Sequence, residues 1–315
     1  MQTLPVLRFT LYANPLPIFM REKTAFISVY DKTGAAEFAR ALVELGYSVY
    51  SYGSTWQELQ KKGVDSEEVK DKSGMHYAVI EAVRRGSWRD GDFFMRRPDI
   101  VAADVFRAEA LEEDLEEAVN SFDAANSNLI RFATRKFDDI LVVCDPSDYP
   151  DLTDKLKIFD EIPYETKKIY ASKALNRLAY HEAAVSQLLF NNFNLGRKEL
   201  VMSLKKIKDL KYGENPHQKA SVFSLSGTRE WGLASAKILK GRDLNLNHYL
   251  DLNVSHELAG ELTEPACVIS KHGNIAAVAV NDRLARAFLD AVNSDKKRLF
   301  RRGLLFQQAP GPGNG

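Results

Sequence analysis

The run TAFISVYDKTGAAEFARALVELGYSVYSYGST, residues 24–55, constrains this chain most, because it reads as strand, turn, helix, strand and a second turn. TAFISVY (24–30) is apolar with β-branched and aromatic residues, as a buried strand requires. Asp31-Lys32-Thr33-Gly34 then turns the chain, and residues 35–45 set Phe38, Leu42 and Leu45 on one helical face before Gly46 ends the helix in the left-handed conformation. A second strand, YSVYSY (47–52), runs into Gly53-Ser54-Thr55 and another helix. Strands joined through a helix are parallel, and the crossover brings both strand-to-helix turns to the same carboxyl edge. The sequence therefore predicts an α/β fold with a crevice along that edge.

The residues in that crevice suit an anion. Gly53 lets backbone N–H groups approach a phosphate, Thr33, Ser51 and Thr55 add hydroxyl donors, and Lys32 supplies charge beside a helix N-terminus. A plainer reading stands beside this one: Thr33 and Thr55 cap helices and Gly53 makes a turn.

Composition narrows the classes. With 315 residues, 45% of them apolar and 27% charged, the chain is long enough for two globular domains. Lys plus Arg equals Asp plus Glu at 43 each, so no global field draws the protein to nucleic acid or to an anionic membrane surface. Cys144 and Cys267 both lie in apolar runs, which argues against a disulfide framework or a metal cluster and for a reducing, cytoplasmic setting. Residues 1–19 are broken by Pro5, Pro15 and Pro17 and read as a disordered extension rather than a signal peptide or membrane span, and 306–315 read as a flexible tail.

A second group of motifs lies in the C-terminal half. PACVISKHGNIAA (265–277) begins as a buried strand and ends abruptly in Lys271-His272, KYGENPHQ occupies 211–218, and LKGRDLNLNHYLDL occupies 239–252. A histidine at a strand mouth can take a proton from a weak nucleophile while a neighbouring ammonium holds an anion; the same pair can equally be solvated and inert.

Taken in order, these three motifs resemble the transformylase part of the AICAR transformylase/IMP cyclohydrolase family, and residues 24–55 resemble the start of its cyclohydrolase part, whose relatives include methylglyoxal synthase. The resemblance implies Lys271 and His272 as formyl-transfer residues, with Lys211, Tyr212, Asn247 and Asp251 binding substrate. In the N-terminal part it implies Asp123 as a catalytic acid and Arg131 and Arg135 as anion contacts, although Asp123 also fits a helix cap. Tyr180 and Glu182, in the long helical stretch 164–190, read as packing and surface residues.

The chain also departs from the family pattern. SGMHYAVIEAVRRGSWRDGDFF (73–94) stands where the family has Gly-Arg-Val-Lys-Thr-Leu-His-Pro, and Phe106 stands in place of a tyrosine. Ala125 and Asn126 replace paired glycines, Arg135 replaces a lysine, and Lys211 replaces an arginine, giving up its bidentate fork. His248 replaces an asparagine, and Gly273-Asn274-Ile275-Ala276-Ala277 replaces x-Asn-Pro-x-Gly. Losing one polarising donor typically slows such chemistry about a hundred- to a thousand-fold, so ring closure is expected to be weak.

The resulting expectation is an α/β protein: a methylglyoxal-synthase-like parallel-sheet domain over 20–195, then part of a cytidine-deaminase-like transformylase domain over 196–305. By resemblance the function is purine (IMP) biosynthesis on AICAR, FAICAR and IMP, with 10-formyltetrahydrofolate as co-substrate and no metal. The expected partners are a second copy in a homodimer and a separate chain carrying the rest of the transformylase. The alternatives are a non-catalytic nucleotide-binding regulator or scaffold and, more remotely, a methylglyoxal-synthase-like lyase, for which no matching acidic set is present.

Overall fold

A computed structural model describes residues 22–70, 76–106, 123–159, 161–193, 198–225, 233–241, 243–294 and 303–307. The expected extension over 1–19 and positions 308–315 of the expected tail lie outside the described residues. The chain divides into two compact units, one built from Met1–Phe106 with Asn120–Ala179, the other from Arg107–Val119 with Tyr180–Gly315.

The first unit contains β1 (Lys23–Ser28), α1 (Ala35–Glu44), β2 (Tyr47–Ser51), α2 (Gly53–Lys61), β3 (Glu67–Glu68) and α3 (Tyr77–Arg85). It continues with the hairpin β4 (Ser87–Asp90) and β5 (Phe93–Arg96), then β6 (Ile100–Ala103), α4 (Ala124–Thr134), β7 (Leu141–Val143), α5 (Tyr149–Ile158) and the start of α6 (Tyr164–Phe193). Five strands form a parallel sheet in the order β3-β2-β1-β6-β7. The chain leaves β1 toward β2 and β3 and returns on the other side as β6 and β7, so the winding reverses between β1 and β6. At such a reversal the loops at the carboxyl ends diverge and open a crevice.

Side chains on the central strands alternate between two cores. Ala25, Ile27, Ile100, Ala102, Leu141 and Val143 pack with α1 and α5 on one face. Phe26, Val101, Ala103 and Val142 pack with α3, α4 and α6 on the other. Both faces being covered explains why the strands read as continuous apolar runs. On α1 the buried residues Phe38, Ala39 and Leu42 make the inward stripe, and Phe38 stacks on Tyr149 of α5 at a centroid distance of 4.5 Å. Gly46, at φ 81°, ends the turn after α1 as expected.

The sequence-based bounds shift in places. The first strand stops at Ser28 rather than residue 30, because the amides that follow turn away to a side chain described below. The segment 73–94, where a family motif is missing, contributes helix α3 and the β4-β5 hairpin among its described residues. Neither α1 nor α2 is capped by a threonine side chain: Gly34, at φ 69°, precedes α1, and Tyr52 precedes α2.

The second unit contains the hairpin β8 (Leu204–Asp209) and β9 (Ser221–Leu225), helix α7 (Leu246–Gly260), then β10 (Ala266–Lys271), β11 (Asn274–Val280), α8 (Leu284–Ser294) and β12 (Gly303–Gln307). β10 is the middle strand of an antiparallel sheet ordered β11-β10-β12. Cys267 and Ile269 face a small core with Ala287 and Ala291 of α8, against which Phe288 and Val292 also pack. The buried Ser270 meets Ser255 of α7. Among the described residues, no helix is long and apolar enough to cross a membrane.

Leu42 is fully buried, so Leu42→Ala is expected to destabilise the first unit by about 2–5 kcal/mol. Leu175→Ala, at a position 53% exposed, should cost less than about 1 kcal/mol in the same urea titration. Equal losses would mean that α1 does not pack as described.

Candidate functional site

β1 ends in the interior of the crevice, where its backbone groups need partners. Lys32 of the turn itself and three side chains from other segments supply them, and His76 braces the set from the side. The Asp104 carboxylate, just past β6, accepts the backbone N–H groups of Tyr30 and of Asp31, the latter at 3.1 Å. Thr55 of α2 accepts Val29 N–H and donates to Val29 C=O, both at 3.1 Å. Lys32 Nζ donates to the same carbonyl and to Thr55 Oγ1 at 3.1 Å. Asn126, in the first turn of α4, donates to Ser28 C=O at 3.1 Å and to Asp104 C=O at 2.9 Å. His76 Nε2 lies 3.1 Å from Ser28 Oγ and 2.9 Å from Asn126 Oδ1.

Burial tunes the two charged groups. Asp104 is only 4% exposed, and its carboxyl is pushed up to about 6 by loss of hydration, although the two amides it accepts pull the other way. Burial also lowers the pKa of Lys32, against the opposing attraction of Asp104, Glu58, Asp123 and Asp31. Lys32 and Asp104 thus both bond the backbone that follows β1 at the reversal point.

The remaining N-terminal candidates separate by position. Ser51 is fully buried and donates to Ile27 C=O at 2.7 Å, tying β2 to β1. Gly53, at φ 54°, opens α2, and Thr33 is exposed with its amide bonded to Asp31 at 3.0 Å. Asp123 caps α4 by accepting Asn126 N–H at 2.8 Å, which its cap reading anticipates. Arg131 lies in the last turn of α4 and Arg135 is its C-cap; both are exposed and stand beside α6. Sequence reasoning did not single out Asp104, His76 or Asn126 as ligands of this turn. The available signal was Asp104, a lone carboxylate closing the buried strand IVAA.

The second unit gathers its motifs in a chain of hydrogen bonds. In KYGENPHQ, Gly213 N–H donates to Gln218 C=O at 2.8 Å and Asn215 N–H to Gln218 Oε1 at 2.9 Å, closing a compact loop. Tyr212 Oη accepts from Asn245 Nδ2 at 2.8 Å. Asn245 caps α7 reciprocally with His248, whose Nδ1 accepts Asn245 N–H at 3.1 Å. Two turns along α7, the buried Asp251 accepts Gly273 N–H at 2.7 Å, and Ser270 Oγ donates to Asp251 C=O at 2.6 Å.

Gly273 and His272 form the two-residue link between β10 and β11, with φ 70° and 52° and Lys271 paired to Asn274. Positive φ at both positions is the type I′ geometry, which fits the twist of an antiparallel hairpin and is uncommon for histidine. His272 is exposed at this tip and Lys271 is half-buried beside it. The residues after the pair, where the family has a Pro- and Gly-containing loop, form strand β11 instead. Asn247 and Lys211 are exposed. Asp251, expected to bind substrate, accepts the Gly273 N–H of the His272-Gly273 turn through Oδ1. Among the described residues, no group of three or more His, Cys, Asp or Glu is placed to hold a metal ion.

Comparison with known proteins bears on both units. The profile of the AICARFT/IMPCHase bienzyme family matches residues 133–304. The bifunctional purine biosynthesis protein PurH of Persephonella marina is 31% identical over 303 residues, covering 88% of this chain and 59% of that protein. PurH of Thermoanaerobacter sp. is 31% identical over 300 residues with the same coverage, and PurH of Bacillus subtilis is 30% identical over 305 residues, covering 89% and 59%. The chain therefore spans about three-fifths of the length of these relatives.

A carboxyl with a raised folded-state pKa stabilises the fold most below its unfolded value of 3.8, and that stability is lost as pH rises through about 6. The unfolding free energy of the native protein minus that of Asp104→Asn is therefore expected to fall by up to about 3 kcal/mol between about pH 4 and pH 7. Urea titrations of both proteins across that range measure it; a difference independent of pH would mean that Asp104 is not buried against the β1 turn.

Proposed function

The chain belongs to the AICARFT/IMPCHase bienzyme family, and from that premise we propose that it serves the last steps of IMP synthesis. In this reading the second unit is part of a cytidine-deaminase-like transformylase, taking AICAR and the formyl group of 10-formyltetrahydrofolate. The first unit is a methylglyoxal-synthase-like domain that holds the phosphate of the product nucleotide.

One observation carries the transformylase reading. Three motifs separated by tens of residues, KYGENPHQ, the start of α7 and Lys271-His272-Gly273, are linked through Tyr212–Asn245 and Asp251–Gly273 hydrogen bonds. The aromatic amine of AICAR is a poor nucleophile, so a base that takes its proton as it attacks the formyl carbon accelerates transfer by about a hundred- to ten-thousand-fold. His272 is the base, Lys271 steadies the anionic groups, and Asn247 and Tyr212 contact the substrate. Asp251 positions the turn that presents the base.

For the N-terminal unit, support comes from Lys32 and from the first turns of α1 and α2, neither closed by a side-chain cap. Their N–H groups and the lysine suit a phosphomonoester. Ring closure is expected to be slow. Phe106, edge-on to Tyr30 at 4.8 Å, has no hydroxyl to offer, and Asn126 fills the place of a glycine. A purely regulatory role is not favoured by family membership. Cytoplasmic location and homodimer formation belong to the same proposal.

Calorimetry with IMP is expected to show binding that weakens at least about tenfold in Lys32→Ala; unchanged affinity would remove the phosphate assignment. Formyl transfer is best measured with the remaining two-fifths of the Bacillus subtilis relative supplied as a separate polypeptide. Activity in the mixture should drop by about a hundredfold or more in His272→Ala. Undiminished transfer by that variant would exclude His272 as the base.

A further inference from the structure

The five-stranded sheet has a second edge, opposite the crevice, where its parallel strands begin. Lys23 of β1, Tyr47 of β2, Ile100 of β6 and Leu141 of β7 hold the first position of their strands and line a cavity of about 190 Å³. Asp99, the turn residues Asp138 and Asp139, and Glu161, Ile162 and Lys167 complete the lining. The length of β1, about 16 Å at roughly 3.3 Å per residue, separates this cavity from the Lys32 turn.

Most of the charges here already have partners. Asp99 accepts Thr24 N–H at 2.9 Å, Asp139 pairs with Arg97 at 2.8 Å, and Lys167 bonds Glu161 and the Asp138 carbonyl, both at 3.2 Å. Three groups on the cavity wall are left without a hydrogen-bond or ion-pair partner among the described residues: the Lys23 ammonium, the Asp138 carboxylate and the Tyr47 hydroxyl. The ammonium lies over the Tyr47 ring, 5.5 Å from its centroid. Tyr47 is only 9% exposed, and a hydroxyl so buried ordinarily has a partner. Burial, with the Asp99 charge beside it, pushes its pKa up to about 12, so at neutral pH it is a donor that lacks an acceptor.

One free cation, one free anion and one neutral donor around a small cavity define the ligand by complementarity. A lone anion would face the surrounding carboxylates, and a lone cation would face the two lysines. A zwitterion meets neither repulsion: its carboxylate goes to Lys23 and Tyr47, its ammonium to Asp138. The buried Ile100, Leu141 and Ile162 supply an apolar wall for a short hydrocarbon side chain. The cavity has the volume of roughly six water molecules at about 30 Å³ each, which limits that side chain to a few carbons.

We propose that this cavity is a binding site for a small zwitterion, an α-amino acid with a short apolar side chain. The site is independent of the purine reading and stands or falls without it.

The probe is L-valine, titrated against the full chain by saturation-transfer difference NMR. Saturable binding is expected, weakened at least about tenfold in Tyr47→Phe, which removes a hydrogen bond to a charged group and keeps the ring. Lys23→Met and Asp138→Asn should each weaken it to a similar degree. Isovalerate, which lacks the ammonium, and isobutylamine, which lacks the carboxylate, should bind at least about tenfold more weakly than L-valine. L-Tryptophan should be excluded by its size. Circular dichroism confirms that each variant is folded. The proposal is overturned if L-valine shows no saturation at millimolar concentration, if Tyr47→Phe binds it within about twofold of the native chain, or if either half-ligand binds as tightly as L-valine.

Discussion

The structure of the first unit turns on the need to satisfy the backbone where β1 ends. β1 is covered on both faces, so no water reaches the peptide groups of Ser28 and Val29 from above or below the sheet, and the exposed Tyr30 and half-buried Asp31 follow directly. A buried N–H or C=O left without a partner costs about 1–3 kcal/mol, enough to decide which side chains stand there. Asn126 takes the Ser28 carbonyl, Thr55 takes both polar groups of Val29, Lys32 adds to the Val29 carbonyl, and Asp104 takes the amides of Tyr30 and Asp31. The polar cluster is thus a consequence of the fold's own hydrogen-bond accounting, and the chemistry proposed for it uses groups already gathered for that purpose.

The second unit solves a similar problem at a hairpin tip. A two-residue link with positive φ at both positions leaves the Gly273 amide pointing off the ladder, and Asp251 receives it. The consequence is a fixed presentation of Lys271 and His272. Ser255 and Ser270 continue the contact inward, so helix α7 and strand β10 are coupled through buried polar groups as well as apolar packing. Such networks favour a single arrangement because a half-made set would leave buried donors unpaired.

Much of this was legible from residue order. The strand-helix-strand unit, the helix stop at Gly46, the long helix from Tyr164 and the buried strand before Lys271 follow from periodicity and turn chemistry. Those signals are local, and local rules suffice for them. Thr55 shows where they fail. It stands in a position suited to helix capping, yet its hydroxyl turns to Val29, twenty-six positions earlier, because the packed sheet brings that backbone closer to it. Arg131 and Arg135 show a second limit: the eleven residues of α4 stand between Asp123 and Arg135, a separation that a motif match does not measure.

What the sequence determined by itself is the α/β character, the parallel pairing at the N-terminus and the three distant motifs whose order carries the family resemblance. Each of these depends on side-chain spacing within a few residues of itself. Tertiary structure alone decided that Asp104, His76 and Asn126 gather with Lys32 about the end of β1, that Asp251 holds the turn of His272, and that the first residues of β1, β2, β6 and β7 line one cavity. Those facts depend on contacts between segments up to 98 residues apart in the chain, as for Asn126 and Ser28. The distances that create them exist only once the sheet has closed over its two cores.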